Sequence, residues 1–301
     1  MRPASVAPAE AGEPFPDARP VSATGEFRQR RAAMQATPAL LFGGLVGIGF
    51  LNGISEQAGT EIARNGMALA LFDTLGVSTV VWAAAVVGIV LLWRSRPRPL
   101  AAVDGIAGLF ASACFLAPAP FMGWLGIAAT GAHLRLSPRS DALARRAGSV
   151  FLALTIPVLW ARILFASASN TILGLDARLI GWVVSTRSHG NTIDLANGTG
   201  VIFLEPACSS LTNLSLVILC GVLFVKGQGC RWSAGAVAAI AAAGAVTVAI
   251  NVLRIALIGV MPQHYAEIHG LPGAAIATWA TIAAMLAIFS YGIGIGGQAR
   301  P

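Results

Sequence analysis

Charge is scarce in this chain: Asp, Glu, Lys and Arg make up 11% of its 301 residues, against 56% hydrophobic residues. So little polar material cannot coat a water-soluble globule of this size, which excludes a soluble enzyme or a soluble binding domain. Cysteine is scarce as well. Cys114, Cys208, Cys220 and Cys230 form no C-x-x-C pair and have no histidine-rich segment beside them, so neither a zinc site nor a disulfide framework is indicated. No internal repeat is visible, and no pair of interrupted helices falls in matching halves, which speaks against a repeat-built transporter.

What the chain does have is apolar sequence in long runs, with 34 glycines and a mean hydropathy of +0.74. Runs near the length that crosses about 30 Å of hydrocarbon fall at 38–55, 67–93, 99–117, 119–134, 147–169, 206–225, 233–261 and 272–296. The expected fold is an all-α integral membrane protein of about eight transmembrane helices. The third and fourth runs are short and parted only by "APAP", so a re-entrant pair and six spans is the alternative. Residues 1–36, rich in Pro, Ala, Glu and Arg, read as a disordered cytoplasmic tail, and 37–299 as one polytopic domain. The apolar run after the tail is not followed by a convincing small-residue cleavage site and reads as a retained anchor. Glycine-rich pieces such as "GGLVGIG" suit close helix packing.

The net charge of +7 and a pI near 10.2 would suit a nucleic-acid binder if the basic residues clustered on one face. They do not. With both termini cytoplasmic, Lys and Arg collect in "RSRPR" (94–98), "HLRLSPRSDALARR" (133–146), "KGQGCR" (226–231) and the terminal "QARP". The other side holds only Arg64, Arg178 and Arg187, as the positive-inside rule requires. The basicity is therefore topology, the partner it indicates is a lipid bilayer, and nucleic acid is not expected. Asp73 and Asp104 sit near span ends and read as solvated.

The polar stretch 170–205 is the one sizeable extracytoplasmic piece. "LDARLIGWVV" (175–184) puts Leu175, Leu179, Trp182 and Val183 on one helical face, suiting a short helix in the interface. "NTIDLANGTGVIFLE" alternates around Asn197–Gly198, a strong signal for a β-hairpin before the sixth span. The chain then enters Pro206, favoured in a first helical turn. That places Cys208 in the first turn of span six, by free backbone N–H groups and the positive end of the helix dipole, where a thiol pKa is lowered. In the next span Arg254 lies about 10 Å inside the outer end. A buried Arg needs a partner or a watery cavity. The following loop, "MPQHYAEIHGLP", carries His264 and His269, so Cys, Arg and His can meet at one membrane face.

"ACSSL" ahead of an apolar helix, "NVLRI" near the end of the next, a His in the loop beyond, and "GNTI" entering the hairpin together resemble the exosortase/archaeosortase family of membrane cysteine transpeptidases. The resemblance covers about residues 145–290; the earlier spans match in general hydropathy alone. It implies that Cys208 is the nucleophile, Arg254 the second catalytic residue, and His269, ahead of His264, the third. Glu205, Ser209, Ser210 and Asn251 would lie around the substrate. Ser210 departs from the family's usual Gly.

The implied activity is cleavage of C-terminal sorting signals (a short motif, a membrane helix, a basic end) on exported proteins at the outer face of the bacterial cytoplasmic (inner) membrane. The product would be transferred to an acceptor, with no cofactor and no metal. The Cys208 and Ser209 N–H groups and the Arg254 guanidinium would hold the oxyanion, and Glu205, which disfavours a thiolate, would pair with Arg254 or His269. Two other readings stay open: a small transporter or channel lined by Arg254 and Glu205, and a non-catalytic assembly protein for polysaccharide export.

Overall fold

A computed structural model describes residues 37–298. The tail expected at 1–36 and the last three residues lie outside the described residues. Helix α1 spans Pro38–Phe72, α2 Thr79–Trp93, α3 Ala102–Leu116, α4 Pro120–Leu136 and α5 Ala142–Thr155. A single π-helical stretch, Ile156–Trp160, joins α5 to α6 (Ala161–Val184). Then come the short strands β1 (Ser188–His189), β2 (Thr192–Asp194) and β3 (Val201–Phe203), followed by α7 (Ser210–Gly227), α8 (Ala234–Val260), α9 (Tyr265–His269) and α10 (Leu271–Gln298).

Five described segments are long and apolar enough to cross a membrane: α1, the continuous α5–α6 unit, α7, α8 and Pro272–Ile293 within α10. The chain is, on that length and composition, a helical membrane protein with a small sheet. α2 and α3 are apolar but shorter, at 15 residues each. At 1.5 Å per residue each covers about 22 Å, short of the ~30 Å of a hydrocarbon core.

The first two expected runs are divided differently from the hydropathy. α1 continues through the polar "SEQAGTEIARN", whose Glu, Gln, Ala and Arg are good helix formers, and kinks at Gly66 (φ 79°). The break falls later, in "DTLGVS". Thr74, Leu75 and Gly76 all take positive φ, and Ser78 caps α2 by accepting from the Val80 N–H. The interfacial helix expected at 175–184 is likewise the end of α6, which kinks at Ala168 (φ −138°). Its Leu175, Leu179, Trp182 and Val183 do share an exposed face.

Three apolar clusters hold the helices. The largest joins α1, α2, α4 and α5 around Phe42, Phe50, Trp124 and Phe151. Within it α4 and α5 cross with backbones in contact: a Cβ on Gly131 would lie 2.9 Å from the Gly148 carbonyl oxygen, and one on Gly148 2.6 Å from that of Gly131. In "GGLVGIG", Gly43 and Gly49 pack against Trp93 and Phe115, while Gly44 and Gly47 face open space. A second cluster joins α7, α8 and α10. The third sets the sheet and Leu204 between α6 and α8, with Cys208 at its edge.

The sheet is antiparallel in the order β1-β2-β3. The expected β2–β3 hairpin turns at Asn197–Gly198, where Gly198 has φ 70° and Asn197 Oδ1 accepts from the Thr199 N–H at 3.0 Å. A second hairpin, β1–β2, turns at Gly190 (φ 60°). The Ala196 N–H donates to the Gly259 carbonyl (3.0 Å) and ties the sheet to the end of α8.

At the bundle's other end Asp104 is 1% exposed, contrary to the solvated role expected of it. Its carboxylate accepts from Arg98 Nη1 (2.6 Å), Arg98 Nη2 (2.8 Å) and the Ala101 N–H (2.9 Å), and lies 2.9 Å from His133 Nε2. Burial is tolerated because every face of the charge has a partner. Asp73 is exposed, as expected.

Candidate active site

The segment "EPACSS" folds as a tight turn and then a helix. Pro206 opens a 3-10 turn, Pro206–Cys208, in which the Cys208 N–H donates to the Glu205 carbonyl (2.9 Å) and the Ser209 N–H to the Pro206 carbonyl (3.2 Å). Ser209 is the better N-cap, so α7 starts only after it, with Ser209 Oγ accepting from the Leu211 N–H at 3.1 Å. Cys208 therefore sits on the turn before the helix, outside the first helical turn expected for it. The two N–H groups assigned to an oxyanion hole already donate within that turn.

Ser209 and Ser210 face inward. Ser209 Oγ donates to Asp176 Oδ2 at 2.8 Å, and the Ser210 N–H donates to the same oxygen at 3.0 Å. Both serines are buried, so their place is beneath the turn and not against a substrate. Asn251 is buried too. Its Nδ2 donates to the Cys208 carbonyl (2.8 Å) and to Ser210 Oγ (3.4 Å), pinning the cysteine's backbone from α8. Asp176 from α6, 5% exposed, is the group that sequence reasoning missed. Its signal was there: it shares a helical face with Leu173, Ala177, Ile180 and Val184, where a lone carboxylate needs a partner.

The loop after α8 brings in the histidine. His269 Nε2 lies 4.0 Å from Cys208 Sγ. The Tyr265 ring stacks on the imidazole, centroids 4.9 Å apart and planes at 7°. Arg254 holds the loop from below, donating from Nε to the Ile268 carbonyl (3.2 Å) and from Nη2 to the His269 carbonyl (3.1 Å). Nη1 has no partner among the described residues. His264 turns away, its Nδ1 lying 2.8 Å from Glu267 Oε2. Of the two histidines, His269 is the one beside the thiol.

Burial pushes the Cys208 thiol up from its ordinary value; the nearby Arg254 cation opposes this and the Glu205 carboxylate adds to it. The lowering expected at a helix N-terminus is overridden, since the helix begins two residues later and its first N–H groups are held by Asp176 and Ser209. Glu205 is exposed, and among the described residues it forms no ion pair, so the pairing expected with Arg254 or His269 is not made. The balance of these effects favours the thiol over the thiolate.

Beside this site a cavity of about 400 Å³ lies among the ends of α2, α7, α8 and α10. Asn213, Thr247, Asn251, Arg254, Thr278 and Thr281 are in its wall, and the Thr247 hydroxyl, in a residue 1% exposed, has no partner among the described residues. Among the described residues no group of three or more His, Cys, Asp or Glu could hold a metal ion. Cys114 and Cys220 are buried and Cys230 half-buried, each away from a histidine partner among the described residues.

The fold and site define a helical membrane protein with a Cys–His pair seated on one end of its bundle. Comparison with known protein families, curated proteins and solved structures finds no match.

Proposed function

We propose that this protein is a membrane-embedded cysteine transpeptidase or protease that acts on the C-terminal sorting signals of exported proteins, with Cys208 as nucleophile. The observation that carries the reading is the 4.0 Å approach of His269 Nε2 to Cys208 Sγ, made by a loop that Arg254 holds by two carbonyls. A Cys beside a His is the arrangement nucleophilic acyl transfer requires. The resemblance of "ACSSL", "NVLRI" and "GNTI" to exosortases supplies the substrate class.

In the reaction, His269 takes the Cys208 proton as the pair closes from 4.0 Å on substrate binding. The thiolate attacks the carbonyl carbon of the peptide bond and forms a tetrahedral oxyanion, which the open Nη1 of Arg254 is free to meet. The C–N bond breaks, the imidazolium proton goes to the leaving amine, and a thioester remains. An acceptor amine or water, deprotonated by His269, attacks the thioester and releases the cysteine as thiol. Arg254 thus acts chiefly by positioning His269.

The topology that fits this chemistry is eight spans with both termini cytoplasmic and the site facing the periplasm. Two features support it. Arg94, Arg96, Arg98, Arg135, Arg139, Arg145, Arg146, Lys226 and Arg231 all lie at helix ends or connections of the bundle end remote from Cys208. The exposed face of Leu175, Leu179 and Trp182 at the Cys208 end suits the interface.

The test is cleavage of a tailed substrate in vesicles holding the full chain. Cys208→Ala should abolish it, and Cys220→Ala, a cysteine within the helix that follows the Cys208 turn, should leave it intact. Undiminished cleavage by Cys208→Ala refutes the reading. The polar cavity beside Arg254 favours a second reading, a solute transporter, in which transport would survive Cys208→Ala and fail on Asn213→Leu.

A further inference from the structure

At the end of the bundle opposite Cys208 the connections α2–α3 and α4–α5 meet the start of α1 around a second cavity, of about 360 Å³. Its base includes Leu92 and Leu134, each 1% exposed, and its wall includes Arg96, Arg98, Arg139 and Ser140. The cations differ in what they already hold. Both Nη groups of Arg98 are taken up by Asp104, so that charge is neutralised. Arg96 and Arg139 are exposed, and among the described residues neither guanidinium has a hydrogen-bond partner.

One carboxylate, Asp141, also borders the cavity. It accepts from the Ala144 N–H (2.8 Å) as the cap of α5 and from the Arg96 N–H (3.0 Å). Two open guanidinium groups against one carboxylate leave one positive charge in excess. The independent observation is Ser140. It is 4% exposed and lines the cavity, yet its hydroxyl has no partner among the described residues. A buried hydroxyl left unpaired is costly, and a ligand oxygen is one way to satisfy it.

We propose that this cavity binds a phosphate ester, held by Arg96, Arg139 and the Ser140 hydroxyl. Planar guanidinium forks match phosphate oxygens in pairs, and Ser140 donates a third bond from below. The apolar base of Leu92 and Leu134 makes the site suited to the headgroup of an anionic phospholipid, whose glycerol and first methylenes would lie against it. Free phosphate shares the chemistry without the apolar part. This inference stands apart from the reaction assigned to Cys208.

The experiment uses the purified full chain in neutral detergent and follows its thermal unfolding in three additions: phosphatidylglycerol in mixed micelles, inorganic phosphate, and chloride at matched ionic strength. A ligand that binds only the folded state raises the midpoint. The wild-type midpoint should rise by several degrees with phosphatidylglycerol and not with chloride. Arg96→Gln and Arg139→Gln, both at exposed positions, should each lose at least half of that rise.

Ser140→Ala should unfold at an unchanged or higher temperature without ligand, because it removes an unpaired hydroxyl, and still lose part of the rise. Arg94→Gln, an exposed arginine at the same end outside the cavity, should keep it in full. A rise with inorganic phosphate as large as with lipid, lost in the same variants, assigns the site to soluble phosphate. No rise with either addition, or an equal loss in Arg94→Gln, overturns the proposal.

Discussion

Two polar clusters at opposite ends of the bundle, one around Asp104 and one around Cys208, treat charge in opposite ways. Around Asp104 each oxygen is occupied: Arg98 binds both in a fork, His133 and the Ala101 N–H complete the set, and the carboxylate is sealed from solvent. Around Cys208 the polar groups are only partly satisfied. Asp176 is matched by Ser209 and Ser210, but Arg254 keeps Nη1 open, the Thr247 hydroxyl is unpaired, and Cys208 and His269 stand 4.0 Å apart. The Asp104 cluster is finished as structure. The Cys208 cluster holds donors in reserve, the kind of departure from full satisfaction on which the proposed chemistry draws.

That contrast can be broken from either side. The largest stability effect is expected from Asp104→Ala, which strands Arg98 and His133: a loss of about 3–5 kcal/mol by denaturation in detergent, typical of breaking a buried pair. The alkylation rate of Cys208, at the far end, should not change, and a large change would show that the ends are coupled. Asp176→Ala leaves a buried hydroxyl and a buried N–H without an acceptor, so a loss of about 1–3 kcal/mol is expected together with an altered Cys208 alkylation rate. Asp176→Asn, which keeps an acceptor oxygen, should recover part of both. Ser209→Ala removes the cap of α7 and should cost about 1 kcal/mol.

The smallest effect sharpens the electrostatics of the site. Because burial and Glu205 raise the Cys208 thiol and Arg254 lowers it, the thiolate is scarce at neutral pH. Iodoacetamide labelling of Cys208 should therefore rise with pH through a midpoint above that of a free thiol. Glu205→Gln removes a raising charge and should move the midpoint down; Arg254→Gln removes the lowering charge and should move it up. Shifts of the opposite sign would contradict the placement of both charges.

Much of this was legible in single residues. Pro206 announces entry into a helix, Asn197–Gly198 announces its hairpin, and Arg254 within an apolar run announces a need for partners, met by the Ile268 and His269 carbonyls. Other features depend on geometry that hydropathy does not encode. The start of α7 moved from Pro206 to Ser210 because capping strength at Ser209 decided between adjacent frames. Asp176 was hidden because its partners are more than thirty residues away along the chain. Asp104 looked solvated although Arg98 and Ala101 are near in sequence, because the His133 that completes its set comes from another helix. α1 and α2 divided at Asp73–Ser78 because positive-φ residues, not polarity, end the helix there.

The proposed chemistry passes through a covalent acyl intermediate on Cys208, formed with help from His269, and that species can be trapped. The full chain in vesicles would be mixed with a tailed substrate, quenched in acid and weighed intact by mass spectrometry. A hydroxylamine-sensitive adduct on the wild type should appear, should be absent from Cys208→Ala, and should form much more slowly in His269→Ala. An adduct of the same mass on Cys208→Ala, or cleavage of the substrate by that variant, would contradict the account.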